Sequence, residues 1–174
     1  SEPIEHCISR NKEGKLQNTF TGYRIKHLDD EMPSPYTTGL LDKFFDGKLA
    51  PILQTTRGCP FHCTFCTDGA DEVNIVNKFG KARVKADIDY IAKKVPDNTH
   101  TLYISDLNFG MLPGDIDTCD SIVNAQKKYN YPTKILSTTG KNNKERIIKS
   151  IKKLNGTIAL SMSVQSMDQD VLEN

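Results

Sequence analysis

From about residue 49 onward the apolar positions switch repeatedly between two periods. The run Pro-Ile-Leu-Gln-Thr-Thr at 51–56 reads as a strand, and Val84, Ile88, Ile91 and Val95 then recur at i, i+4, i+7 and i+11, one stripe of a helix. A second strand is predicted at 101–105, followed by a helix from near Asp115 with Ile116, Cys119 and Val123 on one face. A third strand at 134–138 precedes a stripe of Ile147, Ile151 and Leu154, and the run 157–164 gives a fourth strand. Strands alternating with helices at this spacing predict parallel βα units. Residues 1–47 show no clean periodicity and read as a linker or wrapping segment, with 48–174 as the βα part. Within the first segment, Met32-Pro-Ser-Pro-Tyr36 predicts an extended connector, because proline removes donors and biases its neighbours away from helix. The stretch 40–45 reads as one short amphipathic turn of helix.

The fourth strand bears on whether the sheet is open or curled. Ile158, Leu160, Met162 and Val164 share one face, and Ala159, Ser161, Ser163 and Gln165 share the other. Strands covered by helices on both sides should be apolar on both. A small, hydroxyl-rich second face suits a lumen that holds a ligand, and Thr55, Tyr103, Ser105 and Ser137 suggest the same mixture. The alternative is an edge strand with one wet face. The pattern favours a partial (β/α) TIM-like barrel, in which functional groups sit on the loops after the strands' C-terminal ends. Those loops begin at Arg57, Asp106 and Thr138, and the fourth begins at Gln165.

A chain of 174 residues suits one domain with a real core, and a net charge of +1 with both signs intermixed gives no argument for nucleic acid or an anionic membrane. No apolar run is long enough to span a bilayer as a helix. Five cysteines with three in one loop suggest a reducing compartment, hence the cytoplasm. The chain begins at Ser1 without a methionine and stops inside an opening helix at 168–174, so it reads as a piece of a longer protein.

The three cysteines stand in Arg57-Gly-Cys-Pro-Phe-His-Cys-Thr-Phe-Cys66, a C-x3-C-x2-C spacing. Three thiolates on one short loop can hold three corners of a 4Fe-4S cubane, and the lack of a nearby fourth leaves one iron open for chemistry. Zinc sites usually pair C-x2-C or C-x4-C with a second ligand pair, whereas the next cysteine here is distant Cys119. Cys119, on an apolar helical face, reads as a small buried hydrophobe. Two other functions stay open on these residues: a non-catalytic iron–sulfur redox or electron-transfer module, and a zinc-binding interaction domain.

Cys59, Cys63 and Cys66, with aromatic Phe65 before the last and Gly58 before the first, resemble the signature of the radical S-adenosylmethionine (radical SAM) superfamily. The resemblance implies a 4Fe-4S cluster on those cysteines and S-adenosylmethionine (SAM) chelating the open iron. It also implies reductive cleavage of SAM to a 5′-deoxyadenosyl radical, and a six-unit partial barrel truncated here after about four βα units. Phe65 would pack beside cluster and adenine, and Arg57 would balance the anionic cluster or simply be exposed. His62 is expected to face solvent. The family's usual Gly-Gly-Glu-like motif is missing after the second strand. Asp106-Leu-Asn108-Phe109 resembles instead the variant of the cobalamin-binding class, with the carboxylate and amide accepting from the SAM amino group, unless they serve an Asx turn or a helix cap. Ser161, Ser163 and Gln165 would meet SAM from the fourth strand. Met32-Pro-Ser-Pro-Tyr-Thr-Thr-Gly-Leu40 is similar to the connector that joins a cobalamin domain to the barrel, and also to connectors in methylthiotransferase-like members. Cobalamin would then be held by a domain outside this chain, since no Asp-x-His-x-x-Gly motif is present. The implied partners are a small-molecule substrate and a one-electron reductant such as flavodoxin or ferredoxin.

Overall fold

The computed structural model describes residues 3–4, 7–19, 22, 24–71, 74–159 and 166–172. It begins with an antiparallel hairpin, β1 (Ile8–Arg10) and β2 (Leu16–Asn18), and a short helix α1 (Leu28–Glu31). The hairpin went unread in the sequence because its strands are three residues each, too short to show a period. A 3-10 turn at Asp42–Phe44 matches the expected single helical turn. Then follow β3 (Ile52–Leu53), β4 (Thr56–Arg57), β5 (Asn77–Lys78), α2 (Lys81–Lys94), β6 (Thr101–Phe109), α3 (Asp115–Tyr129), β7 (Lys134–Thr139), α4 (Lys144–Lys153) and α5 (Gln169–Leu172). The fold is α/β with a parallel sheet in the order β3-β6-β7. Ile158 extends it by a parallel bridge to Ile135, at the start of the expected fourth strand. The rest of that strand, with Ser161, Ser163 and Gln165, lies outside the described residues. Among the described residues no helix is long and apolar enough to cross a membrane.

One sheet face carries the core. Leu53, Leu102, Ile104, Ile135 and Ile158 are buried there with Val84, Ile88 and Ile91 of α2 and Cys119, Ile122 and Ala125 of α3. On α3 the inward face runs through Asp115, Thr118, Cys119 and Ile122 rather than through Ile116 and Val123, which stay partly exposed. The expected face was drawn from apolar residues alone, and α3 buries an aspartate and two hydroxyls among them. Among the described residues the opposite sheet face is open. Register aligns Ile52 with Tyr103 and Tyr103 with Leu136, and these three are 57%, 43% and 39% exposed. That face is therefore more apolar than expected. Ser137 pairs with Ile104 on the helix-covered side, and Thr55 is buried beyond the end of β3.

The connector is bonded to both sheet and helix. After Met32 it turns at 35–38 instead of running extended. The Tyr36 hydroxyl donates to the Ile52 carbonyl and accepts the Ile52 N–H at 3.1 Å, which occupies the outer edge of β3. The Ser34 hydroxyl donates to buried Asp87, whose other oxygen takes the Arg83 Nε at 2.8 Å, and Arg83 also donates to the Met32 carbonyl at 2.9 Å. Removing one partner of a buried ion pair strands the other. Asp87→Ala is expected to cost about 3 kcal/mol in a denaturant titration, and Asp87→Asn, which keeps an acceptor for Ser34, less. Equal losses from both variants would contradict this account of Asp87.

Candidate metal centre

The cysteine loop leaves the sheet where β3 stops. The sequence suggests a strand over 51–56, yet only Ile52–Leu53 pair with β6. Thr56–Arg57 pair antiparallel with Asn77–Lys78, which closes a neck beneath residues 58–76. The Phe79 N–H donates to the Thr55 carbonyl at 3.0 Å, extending the neck. Gly58 sits at its top with φ +105, and a Cβ there would fall 2.2 Å from the Ile75 carbonyl oxygen. Only glycine meets both demands. Inside the loop, the Cys66 N–H donates to the Cys63 carbonyl at 3.0 Å and the Gly69 N–H to the Cys66 carbonyl at 3.0 Å. A 3-10 turn over Thr67–Gly69 follows. A Cβ on Gly69 would meet the Cys63 carbonyl oxygen at 2.5 Å and its nitrogen at 2.8 Å, so this glycine lets the second and third cysteine segments close on each other. Gly69 was missed in the sequence, although the Asp68-Gly69 pair is a turn signal.

The far end of β6 reaches over this neck. Asp106 is only 2% exposed, and its carboxylate accepts the Thr55 N–H at 2.7 Å, the Thr55 hydroxyl and, at 3.0 Å, the Thr56 hydroxyl. These bonds replace the ladder that β3 would have made, which is why the strand ends early. Burial raises the Asp106 pKa, against the lowering effect of the hydroxyl and backbone donors of Thr55 and Thr56. Two residues on, the Asn108 Nδ2 lies 3.3 Å from the Cys59 Sγ. Behind them Asp115, 2% exposed, accepts the Leu112 N–H at 2.8 Å. Burial lifts its pKa to about 6, with the charge of Asp106 adding to the rise and Arg146 opposing it.

The remaining expected residues are spread around the loop. Phe65 is 68% exposed, and Cys66 is exposed while Cys59 and Cys63 are half-buried. Arg57 donates to the Gln54 side chain at 3.3 Å and contacts the Met32 sulfur at 3.5 Å. His62 is exposed, 3.4 Å from Asp71. Cys119 is fully buried in the core, where burial pushes its thiol up to about 12. All five cysteines are free thiols. Among the described residues no three His, Cys, Asp or Glu side chains converge on one point, so the loop thiols share a loop without sharing a centre. The donor set nonetheless fits an iron–sulfur cluster: three soft sulfurs on one short segment, a loop closed by Gly58 and Gly69, and an amide aimed at one sulfur.

The chain has relatives of known activity. It is 29% identical to the cobalamin-dependent radical SAM methyltransferase TokK of Streptomyces tokunonensis, over 86% of this chain and 23% of that protein. It is 30% identical to the 2-(S-pantetheinyl)-carbapenam-3-carboxylate methyltransferase of Streptantibioticus cattleyicolor, over 82% of this chain and 22% of that protein. The chain thus spans less than a quarter of the length of these curated relatives. In fold it is similar to the cobalamin-dependent S-adenosylmethionine radical enzyme OxsB, solved with aqua-cobalamin and S-adenosylmethionine bound, at a TM-score of 0.56 and 19% identity over 95% of this chain and 25% of that one. The radical SAM superfamily model matches residues 53–174, from the end of β3 through the cysteine loop and every later element, and the chain belongs to that superfamily.

Proposed function

We propose that this chain is the cluster-binding part of a radical SAM enzyme, in which Cys59, Cys63 and Cys66 hold a 4Fe-4S cluster and the open iron takes SAM. The observation behind this reading is the cysteine loop itself, closed at its neck by β4 and β5 and fitted at Gly58 and Gly69 so that no side chain intervenes. When bound, the cluster supplies the electron for reductive cleavage of SAM to the 5′-deoxyadenosyl radical. The protein's own part is placement. Asp106 serves SAM at one remove, by fixing Thr55 and Thr56 where the loop begins. Phe65 would pack beside the adenine, the Asn108 side-chain oxygen would accept from the methionyl ammonium, and Ser161, Ser163 and Gln165, which lie outside the described residues, would meet SAM from the expected fourth strand. The open face of Ile52, Tyr103 and Leu136 is then the inner wall of a partial barrel of about four βα units. Residues 48–174 form that part and residues 1–47 wrap or lead into it.

The named relatives support the cobalamin-dependent class, with cobalamin supplied by a domain outside this chain, and methyl transfer to a small molecule as the outcome. The electron comes from a flavodoxin- or ferredoxin-type donor in the reducing cytoplasm. The test is anaerobic reconstitution with iron and sulfide, reduction, and paramagnetic resonance with and without SAM. A four-iron signal that SAM shifts and Cys63→Ala abolishes is expected. A cluster indifferent to SAM supports a redox module instead, and zinc without iron overturns the proposal.

A further inference from the structure

Resting on that reading, we propose that Asn108 sets the reduction potential of the cluster through its side-chain amide, which donates to the sulfur of the first cysteine ligand. The Nδ2 lies 3.3 Å from the Cys59 Sγ, a hydrogen-bond length for a sulfur acceptor. The contact bridges 49 residues of sequence, from the end of β6 to the cysteine loop. It is held at both ends. Two residues earlier on β6, buried Asp106 bonds Thr55 and Thr56, immediately before the loop. Just after, buried Phe109 pairs with Thr139 of β7. Asn108 therefore stands on a fixed strand end while Cys59 stands one residue beyond the glycine at the neck.

A donor on a cluster sulfur stabilises the more negative, reduced state and so raises the potential; hydrogen bonds to sulfur are one of the protein's levers on such centres. Cys59 receives this bond from a neutral amide, which adds a partial positive charge without a titrating group. The amide of Asn108 is thus a positioning and tuning group for the sulfur as well as an acceptor for SAM on its other atom. A cluster that must reduce a sulfonium works at low potential, and one donor on one of three ligands makes a modest correction that keeps it reducible by a biological one-electron donor.

The measurement is a redox titration of the reconstituted protein followed by paramagnetic resonance in the absence of SAM, so that any contact to SAM does not enter. Asn108→Leu is close in shape and has no donor. It is expected to hold as much iron as the wild type and to have a lower midpoint. At a fixed poise the ratio of reduced to oxidised cluster should fall about tenfold, which is roughly 59 mV for a one-electron couple. Asn108→Thr keeps a hydrogen donor and should lie nearer the wild type. A wild-type midpoint in Asn108→Leu overturns the inference, as does an Asn108→Thr midpoint no nearer the wild type than that of Asn108→Leu. Loss of iron from both variants overturns it too, by making the residue part of the loop's framework. A wild-type chain that takes up no iron fails one step earlier, on the proposed function itself.

Discussion

Gly69→Ala is expected to strip the protein of iron while leaving its fold in place. A Cβ at this position would lie 2.5 Å from the Cys63 carbonyl oxygen and 2.8 Å from the Cys63 nitrogen, contacts with backbone that no rotamer change relieves. Either the 3-10 turn over Thr67–Gly69 shifts away from Cys63, or Cys63 moves. Both would move a cysteine segment and so hinder the three sulfurs from gathering on the proposed cluster. Overpacking of this kind costs about 1–3 kcal/mol, enough to lower the population of the closed loop by up to roughly a hundredfold. Among the described residues the hydrophobic core takes no member from 58–76, so the thermal midpoint of the apo-protein should change little. Gly58→Ala should be as damaging, because it adds a positive φ to a 2.2 Å contact. Gly114→Ala is the control, since a Cβ there meets nothing within 4 Å. The readout is iron per chain after anaerobic reconstitution, beside a thermal melt. Iron uptake by Gly69→Ala equal to that of Gly114→Ala would show that the close approach of Gly69 to Cys63 has no bearing on the cluster.

The residues that announced the site in the sequence were those whose chemistry is rare: three cysteines at a fixed spacing, with an aromatic and a glycine beside them. The helix α2 and the strands β6 and β7 were also legible, because Val84, Ile88 and Ile91 of α2 and Leu102, Ile104 and Ile135 of the strands bury regular apolar stripes in one core. What stayed hidden were features set by contacts distant in sequence. The early end of β3 depends on Asp106, 51 residues away, which bonds the Thr55 backbone in place of a neighbouring strand. The role of Tyr36 depends on its hydroxyl meeting both polar groups of Ile52, and nothing in the Pro-Ser-Pro-Tyr run signals that. Asp106 and Asn108 stand in one sequence motif, and the fold gives their side chains different contacts. They are two apart on one strand, and each meets a different stretch of the chain that begins the loop: the carboxylate at Thr55 and Thr56, the amide at Cys59. Gly69 carried a turn signal, yet its close approach to Cys63 follows only from the way the loop folds back.

Raising the pH from 4 to 8 should destabilise the wild-type fold, and Asp115→Asn should remove most of that loss. Asp115 is 2% exposed and titrates near pH 6 in the folded chain, against an ordinary value of 3.8. Burial is the main cause, and the nearby charge of Asp106 adds to it. The Leu112 N–H, Arg146 and the start of α3 all favour the charged form, and they do not prevail. Because the folded value is the higher one, the folded chain holds a proton that the unfolded chain has released between pH 4 and 6. Stability is therefore full below about pH 4, falls through that window and is flat above it. A rise from 3.8 to about 6 corresponds to about 3 kcal/mol. The Asp106 carboxyl is shifted in the same direction, so it contributes a decline of the same sign. The amide introduced by Asp115→Asn would be neutral throughout and would still accept the Leu112 N–H through its oxygen. Denaturant titrations of both proteins at pH 4, 6 and 8 should coincide at the lowest pH and separate by a few kcal/mol at the highest, with the variant the more stable. Asp106→Asn should move the wild-type decline to lower pH, because it removes the charge that helps hold the proton on Asp115. Parallel curves for wild type and Asp115→Asn across the whole range would mean that Asp115 ionises freely in the fold, and the buried pair behind the cysteine loop would then have no part in its pH response.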